Sequence, residues 1–383
     1  MPELGPLAAE ALPPGIRSSF VPDINGLRMH VLDAGFADRM RPLILLLHGF
    51  PELAYSWRKV MLPLASAGYQ VVAPDQRGYG RTTGWDADYD GDLRAFRILN
   101  AVRDALGLVA ALGYRDVALV AGHDFGASVA AWCALVRPDV FRSVALMSAP
   151  FAGPPELPFD TADHAPLQQS PGPDIQAELA KMDRPRKHYQ WYYSTRPANN
   201  DMWHCPQGVH AFLRGYFHYK SADWSGNKPY PLQSWTAGEL AKMPTYYIME
   251  HDKNMAETVV PVMPSAAEIA ACRWLPDNEL EVYSREYERN GFQGGLQWYR
   301  ARTGGLYESE LQLFSGRTID VPSMFIAGKS DWGTYQRPGA FERMQQTACP
   351  RMLGCHLLDG AGHWVQQEQP DQVTELLLQL LRR

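Results

Sequence analysis

Leu119–Trp132 reads "LVAGHDFGASVAAW", and the fold turns on how this stretch is interpreted. An apolar, β-type run from Val117 to Ala121 leads into Gly122-His123-Asp124-Phe125-Gly126, and an alanine-rich helical pattern starts at once. Glycines two residues either side of Asp124 suit a sharp strand-to-helix turn, where a Cβ would collide with the adjoining strand or helix. The outline is that of a nucleophile elbow in which aspartate stands where serine is usual.

Working outward, four short apolar runs, "PLILLLHGFP", "YQVVAPDQRGYG", "DVALVAGHDFG" and "RSVALMSAP", are separated by helical stretches such as "NAVRDALGLVAALGY". Buried apolar strands alternating with helices predict right-handed βαβ units and a parallel sheet. Ahead of them, from Arg17, "NGLRMHVLDAG" predicts an antiparallel opening with a hairpin turn at Asn25-Gly26. Residues 1–16, rich in proline, read as an arm on the surface. From Phe151 the strand-helix alternation is lost, and tryptophan, tyrosine, proline and glutamine become frequent. Strands return at "VPSMFIAGKSD" and "MLGCHLLDGAGHW", and "PDQVTELLLQLLRR" closes the chain as an amphipathic helix. The expected organisation is an α/β core made of residues 17–150 and 318–383, with a mainly helical cap, 151–317, inserted between them. Within that cap, "DTADHAPLQQSPGPD" reads as a loop.

Composition narrows the partners. The chain has 383 residues, 46% hydrophobic and 20% charged, with a formal net charge of −6 and no block of Lys/Arg. That argues against nucleic acid or an anionic membrane as partner and for a small uncharged ligand. No apolar run is long enough for a membrane span, and the first twenty residues lack the basic-then-apolar order of a secretory signal, so a cytoplasmic location is expected. Five scattered cysteines without a CxxC pair read as reduced packing residues rather than a metal or redox site. No phosphate-binding glycine loop occurs, so no metal and no organic cofactor is expected. A homodimer is left open.

Ligands of open α/β sheets bind at the carboxyl ends of the strands, so polar residues there are the candidates. Four such ends stand out: His48-Gly49-Phe50-Pro51, Asp124, Asp331 after "FIAGKS", and His363 after "LLDGAG". Chain order is then nucleophile, acid, histidine. His363 serves as a base only if a carboxylate fixes its tautomer, and Asp331 is the best placed, with Asp320 and Glu308 in reserve.

Together "HGFPE" (48–52), "DQRGYG" (75–80), "GHDFGA" (122–127), "SDW" (330–332) and "GHWVQQE" (362–368) resemble the epoxide hydrolases of the α/β-hydrolase fold. The resemblance runs from about Arg17 to the C-terminus. It implies a covalent ester on Asp124, water activated by His363 and Asp331, and an oxyanion hole from the backbone N–H groups of Phe50 and Phe125. Two cap segments, "HYQWYY" and "GFQGGLQWYR", resemble those whose tyrosines hold the epoxide oxygen, which implies that role for Tyr189 and Tyr299. The cap is longer than is usual in the family, so Tyr192, Tyr193, Tyr246 and Tyr247 stand as rivals to Tyr189. Pro51, Trp191, Trp332 and Trp364 are expected to line the substrate site. The partners implied are a small hydrophobic epoxide and water.

Blander readings compete with each assignment. Asp124 could merely cap the following helix, and the cap aromatics could be packing alone. His123 reads as structural, and Asp75 and Arg77 as braces for strand-end loops. A dehalogenase shares the aspartate-histidine-carboxylate set, but its relatives usually place tryptophan or arginine directly after the nucleophile, where this chain has Phe125. A catalytically silent binding protein on the same fold is the third reading, and a complete triad argues against it.

Overall fold

The computed structural model describes residues 4–37, 40–157, 174–305 and 307–383. Its central sheet contains β1 (Ile16–Ile24), β2 (Leu27–Ala34), β3 (Leu43–Leu47), β4 (Gln70–Pro74), β5 (Leu119–His123) and β6 (Val144–Met147). After a pair of three-residue strands, β7 (Arg186–His188) and β8 (Ile248–Glu250), the sheet is completed by β9 (Ser323–Gly328) and β10 (Met352–Leu358). The spatial order is β1-β2-β4-β3-β5-β6-β9-β10. β2 pairs antiparallel with both neighbours, and every other pairing in this sheet is parallel. The expected hairpin joins β1 to β2, with Asn25 at φ 50° and Gly26 at φ 82°, which lets Ile24 pair Leu27.

Central strands read as unbroken apolar runs because helices cover both faces. Every residue of β3, β5 and β6 is buried. Helices Ile98–Ala111 and Phe125–Val136, together with the C-terminal Pro370–Leu381, pack against the sheet or each other. These features make the chain an α/β-hydrolase fold.

Between β6 and β9 lies the mainly helical insertion, including Tyr189–Tyr193, Gly208–Lys220, Asp277–Asn290 and Gln293–Thr303, with β7 and β8 as a small antiparallel ribbon. Of the expected loop at 160–174, all but Asp174 lies outside the described residues; Asp174 caps the helix Ile175–Ala180.

The insertion seats on the core through paired glycines. A Cβ on Gly294 would fall 1.9 Å from Gly78 O, and one on Gly78, at φ 90°, 2.5 Å from Gly294 O. Trp298 Nε1 adds a hydrogen bond to Arg77 O at 2.8 Å. The "GG" of "GFQGGLQWYR" and the first glycine of "DQRGYG" therefore explain each other: two backbones touch where no side chain fits, and Tyr299 is brought over the strand ends.

Candidate active site

Asp124 sits between β5 and the helix Phe125–Val136 with φ 53° and ψ −118°, a conformation rare for a residue with a side chain. The flanking glycines make it possible. A Cβ on Gly122 would lie 2.0 Å from Gly126 O, and one on Gly126 2.2 Å from Leu47 O. Asp124 makes no side-chain cap to its helix. Its Oδ1 instead accepts the N–H of Phe50 at 3.1 Å, and its Oδ2 lies 3.6 Å from His363 Nε2. The helix-capping reading therefore fails. Burial raises the pKa of Asp124, but the facing His363, followed by the charge of Lys220, outweighs it and holds the carboxyl well below its ordinary range.

His363 follows β10, and its ring is fixed from behind by Asp331, whose Oδ1 is 3.0 Å from Nδ1. Asp331 stands just past β9 and also accepts Gly333 N–H at 2.7 Å. Burial works to raise the pKa of Asp331, yet the facing histidine keeps it lowered. Asp320 and Glu308, the reserve acids, are exposed, and Asp320 is occupied by the Thr318 hydroxyl.

The backbone of His363 is fixed as well. Its N–H donates to Lys220 O at 2.8 Å, and its carbonyl is met by His123 Nε2 at 2.6 Å and by the Ser148 hydroxyl at 3.1 Å. On its other nitrogen His123 pairs with Glu52, which also accepts from Gln366 Nε2 at 2.6 Å and Gly49 N–H at 3.0 Å. Burial alone would neutralise this pair. Their mutual attraction instead raises His123 and lowers Glu52, which favours the charged pair. His123 is structural, as its position behind the elbow indicated. Asp75 and Arg77 are braces too: Asp75 holds His30 Nδ1 at 2.7 Å and Ala54 N–H at 2.9 Å, while Arg77 pairs with Asp104.

Above Asp124 lie the aromatic groups of the insertion. The Tyr299 ring packs edge-on against Phe125 at 4.8 Å and Phe50 at 5.5 Å between centroids, and Tyr189 lies 5.9 Å from Tyr299. Three rivals spend their hydroxyls elsewhere: Tyr192 on Asp201, Tyr193 on Tyr216 and Tyr246 on Asn227. Tyr247 is buried, with its hydroxyl unpartnered among the described residues and its ring 5.0 Å from that of Tyr189. Burial, followed by neighbouring phenols or Asp124, pushes Tyr189 and Tyr299 well above the ordinary phenol range, so both stay protonated at neutral pH.

The other expected lining residues divide. Pro51 is buried next to Phe50 through a cis peptide. Trp364 is fully buried, 4.7 Å from the His363 ring, with its Nε1 tied to Phe217 O, and so braces the histidine. Trp332, buried beside Asp331, packs against Tyr230 at 5.0 Å. Trp191 is not brought to Asp124. It is 37% exposed and lines a separate cleft of about 560 Å³ on the outside of the insertion, with Lys187, Tyr192, Asp201, Lys253 and Glu257. Its partner side chain is His188, 5.0 Å away, since helix Tyr189–Tyr193 turns Tyr189 inward and Trp191 outward.

Two charged residues near the site carried no signal of their own in the sequence. Lys220 is 3% exposed, and its ammonium lies 4.9–5.8 Å from the ring centroids of Tyr216, Tyr246, Tyr247 and Trp364. Burial lowers its pKa, opposed by the charges of Asp124 and Asp331. Glu368, inside the quoted "GHWVQQE", accepts three backbone N–H groups around His363. Among the described residues, no group of three His, Cys, Asp or Glu side chains is arranged to hold a metal, and no helix is long and apolar enough to cross a membrane.

A carboxylate in a strained elbow, a histidine backed by a second carboxylate, and protonated phenols overhead form a site equipped for displacement at carbon followed by ester hydrolysis. The profile of the α/β-hydrolase fold family matches residues 42–247. Epoxide hydrolase A of Mycobacterium tuberculosis is 33% identical over 362 residues, 94% of this chain and 95% of that protein. Epoxide hydrolase B of the same organism is 31% identical over 363 residues, 93% and 96%. The solved structure of an epoxide hydrolase from an endophytic Streptomyces superposes with a TM-score of 0.76 at 31% identity, covering 97% of this chain and 96% of that one. Sequence, architecture and site together show that the chain belongs to the epoxide hydrolases of the α/β-hydrolase fold.

Proposed function

We propose that the enzyme opens a hydrophobic epoxide to a vicinal diol through a covalent ester on Asp124. The observation that carries this reading is an aspartate, not a serine, at the elbow, in reach of both His363 and the Phe50 N–H. An epoxide carbon is saturated, and a carboxylate already ionised at neutral pH attacks it without a base. As one Asp124 oxygen bonds to that carbon, the carbon–oxygen bond of the ring breaks. The departing oxygen takes its proton from Tyr299 or Tyr189, a general-acid step suited to buried phenols that remain protonated. Displacement by serine would leave an ether that water does not cleave, whereas aspartate leaves an ester with its own carbonyl.

In the second half, His363 removes a proton from water, and the hydroxide attacks the carbonyl carbon of Asp124. The Phe50 N–H already marks one corner of the oxyanion site. The N–H of Phe125, at the open first turn of its helix, supplies the second, and each donor in comparable sites contributes about 3 to 4 kcal/mol. Collapse releases the diol, and the proton on His363 passes back to the phenol. The aromatic cap favours a bulky apolar epoxide over a short aliphatic one. All five cysteines are unpaired, which supports a cytoplasmic setting in which thiols stay reduced.

The test is His363→Gln. Only ester hydrolysis needs the base, so this variant mixed with an epoxide that the parent turns over should gain the mass of the substrate on Asp124. An unmodified protein that still produces diol at the parent rate refutes the mechanism.

A further inference from the structure

The helix Gly208–Lys220 of the cap ends against the loop that carries His363. Besides the bonds from His363 N–H to Lys220 O and from Trp364 Nε1 to Phe217 O, the two backbones touch: a Cβ on Gly362 would fall 2.5 Å from the carbonyl carbon of Ser221. One carboxyl group spans this junction. Glu368 Oε2 accepts Ala222 N–H at 2.8 Å from the cap and Gly362 N–H at 3.0 Å from the loop, while Oε1 accepts Trp364 N–H at 3.0 Å. The amides on either side of His363 thus share a single anchor, which is also fastened to the cap. The chemistry described above leaves that anchor without a part.

We propose that Glu368 is a positioning residue for His363. By holding Gly362, Trp364 and Ala222 on one carboxyl group, it sets the reach of His363 Nε2 toward the Asp124 ester and ties that reach to the seating of the cap. The inference rests on the covalent reading given above. Its consequence is asymmetric. Attack by Asp124 needs no base, whereas ester hydrolysis requires His363, a water and the ester carbon in line. A misplacement of about 1 Å in such an arrangement costs on the order of a hundredfold in rate.

Glu368→Ala and Glu368→Gln, made in the full chain, separate the two halves under single-turnover conditions with an aryl-substituted epoxide. In Glu368→Ala, ester formation should stay within about twofold of the parent, while ester decay should slow by roughly tenfold to a hundredfold. Glutamine keeps the size and an accepting oxygen, but turns an NH₂ toward one of the donors, so Glu368→Gln should fall between the two. It also carries the test if the alanine variant does not fold. A purely structural role would lower the thermal midpoint or the active fraction and leave the ratio of the two rate constants unchanged. An unchanged ratio, or an unchanged decay rate in a folded variant, overturns the proposal. If neither the parent nor His363→Gln forms an ester, the covalent reading fails and this one falls with it. An ester that forms but decays without regard to Glu368 overturns only the role of Glu368.

Discussion

The two cap phenols are not equivalent, and this inequality gives the sharpest prediction. Among the described residues, the Tyr299 hydroxyl makes no hydrogen bond, whereas Tyr189 donates to Gln336 Oε1 at 3.2 Å and accepts from Gln190 Nε2 at 3.1 Å. A bond from a phenol to a developing alkoxide is charge-assisted and contributes about 1.5 to 3 kcal/mol. Tyr299→Phe forfeits all of it, so at about 1.4 kcal/mol per tenfold the alkylation rate should fall roughly 10- to 150-fold. Tyr189 must first give up a neutral bond of about 1 kcal/mol, so its net contribution is about 0.5 to 2 kcal/mol and Tyr189→Phe should cost only about 2- to 30-fold. With either phenol able to cover in part for the other, the double variant should lose about a hundredfold or more. The assay is rapid mixing with quench, counting ester formed per enzyme in a single turnover. Gln336→Leu, which frees the Tyr189 proton, should bring the two single variants closer together. Greater damage from Tyr189→Phe than from Tyr299→Phe, or a double variant that alkylates at the parent rate, refutes the reasoning.

Two further outcomes follow from packing and charge. Gly49→Ala would place a methyl group 2.4 Å from Asp124 Cβ and 2.5 Å from Oδ1; it should abolish ester formation and cost about 1–3 kcal/mol of stability, read by mass spectrometry and thermal melting. An active Gly49→Ala would mean that the elbow yields more easily than its backbone contacts allow. Asp75 is the second case. Burial raises its pKa, but His30 and several hydrogen bonds outweigh burial and hold it well below the ordinary carboxylate range. The folded state then binds this proton less tightly than the unfolded chain. Stability from Asp75 is present above about pH 4 and is lost as pH falls toward the lowered folded value. Asp75→Asn should cost about 3–5 kcal/mol near neutrality and lose stability less steeply in acid; parallel acid-unfolding curves for parent and variant would reject this.

The core was legible because its signals are local. A strand buried on both faces must be apolar throughout, a turn at Asn25-Gly26 needs positive φ, and a strand-to-helix elbow with two backbones in contact admits only glycine at 122 and 126. These demands fall on neighbouring residues, so "LVAGHDFGASVAAW" fixes the position of Asp124, and the ends of β9 and β10 fix those of Asp331 and His363. The cap obeys a different logic. Tyr189, Trp191, Tyr192 and Tyr193 lie on one short helix, and which of them faces Asp124 depends on how that helix is rotated against the core, about 100° per residue. That rotation is set by packing against distant segments, among them the Tyr247 and Tyr299 rings. Trp191 was therefore expected at the site and lies outside it, and only the folded chain places Asp201, Tyr216 and Asn227 against the hydroxyls of Tyr192, Tyr193 and Tyr246. Lys220 and Glu368 mark the same boundary. In the sequence alone each is an ordinary charged residue on a helix, and only tertiary structure sets the lysine among four rings and the glutamate against Ala222, 146 residues away. The sequence by itself determined the sheet, the elbow and the strand-end positions of Asp124, Asp331 and His363, because backbone sterics and strand-end position act over a few residues. Tertiary structure alone decided which side chains of the cap reach the reacting centre and what holds His363 in place, because those contacts join segments that no local pattern connects.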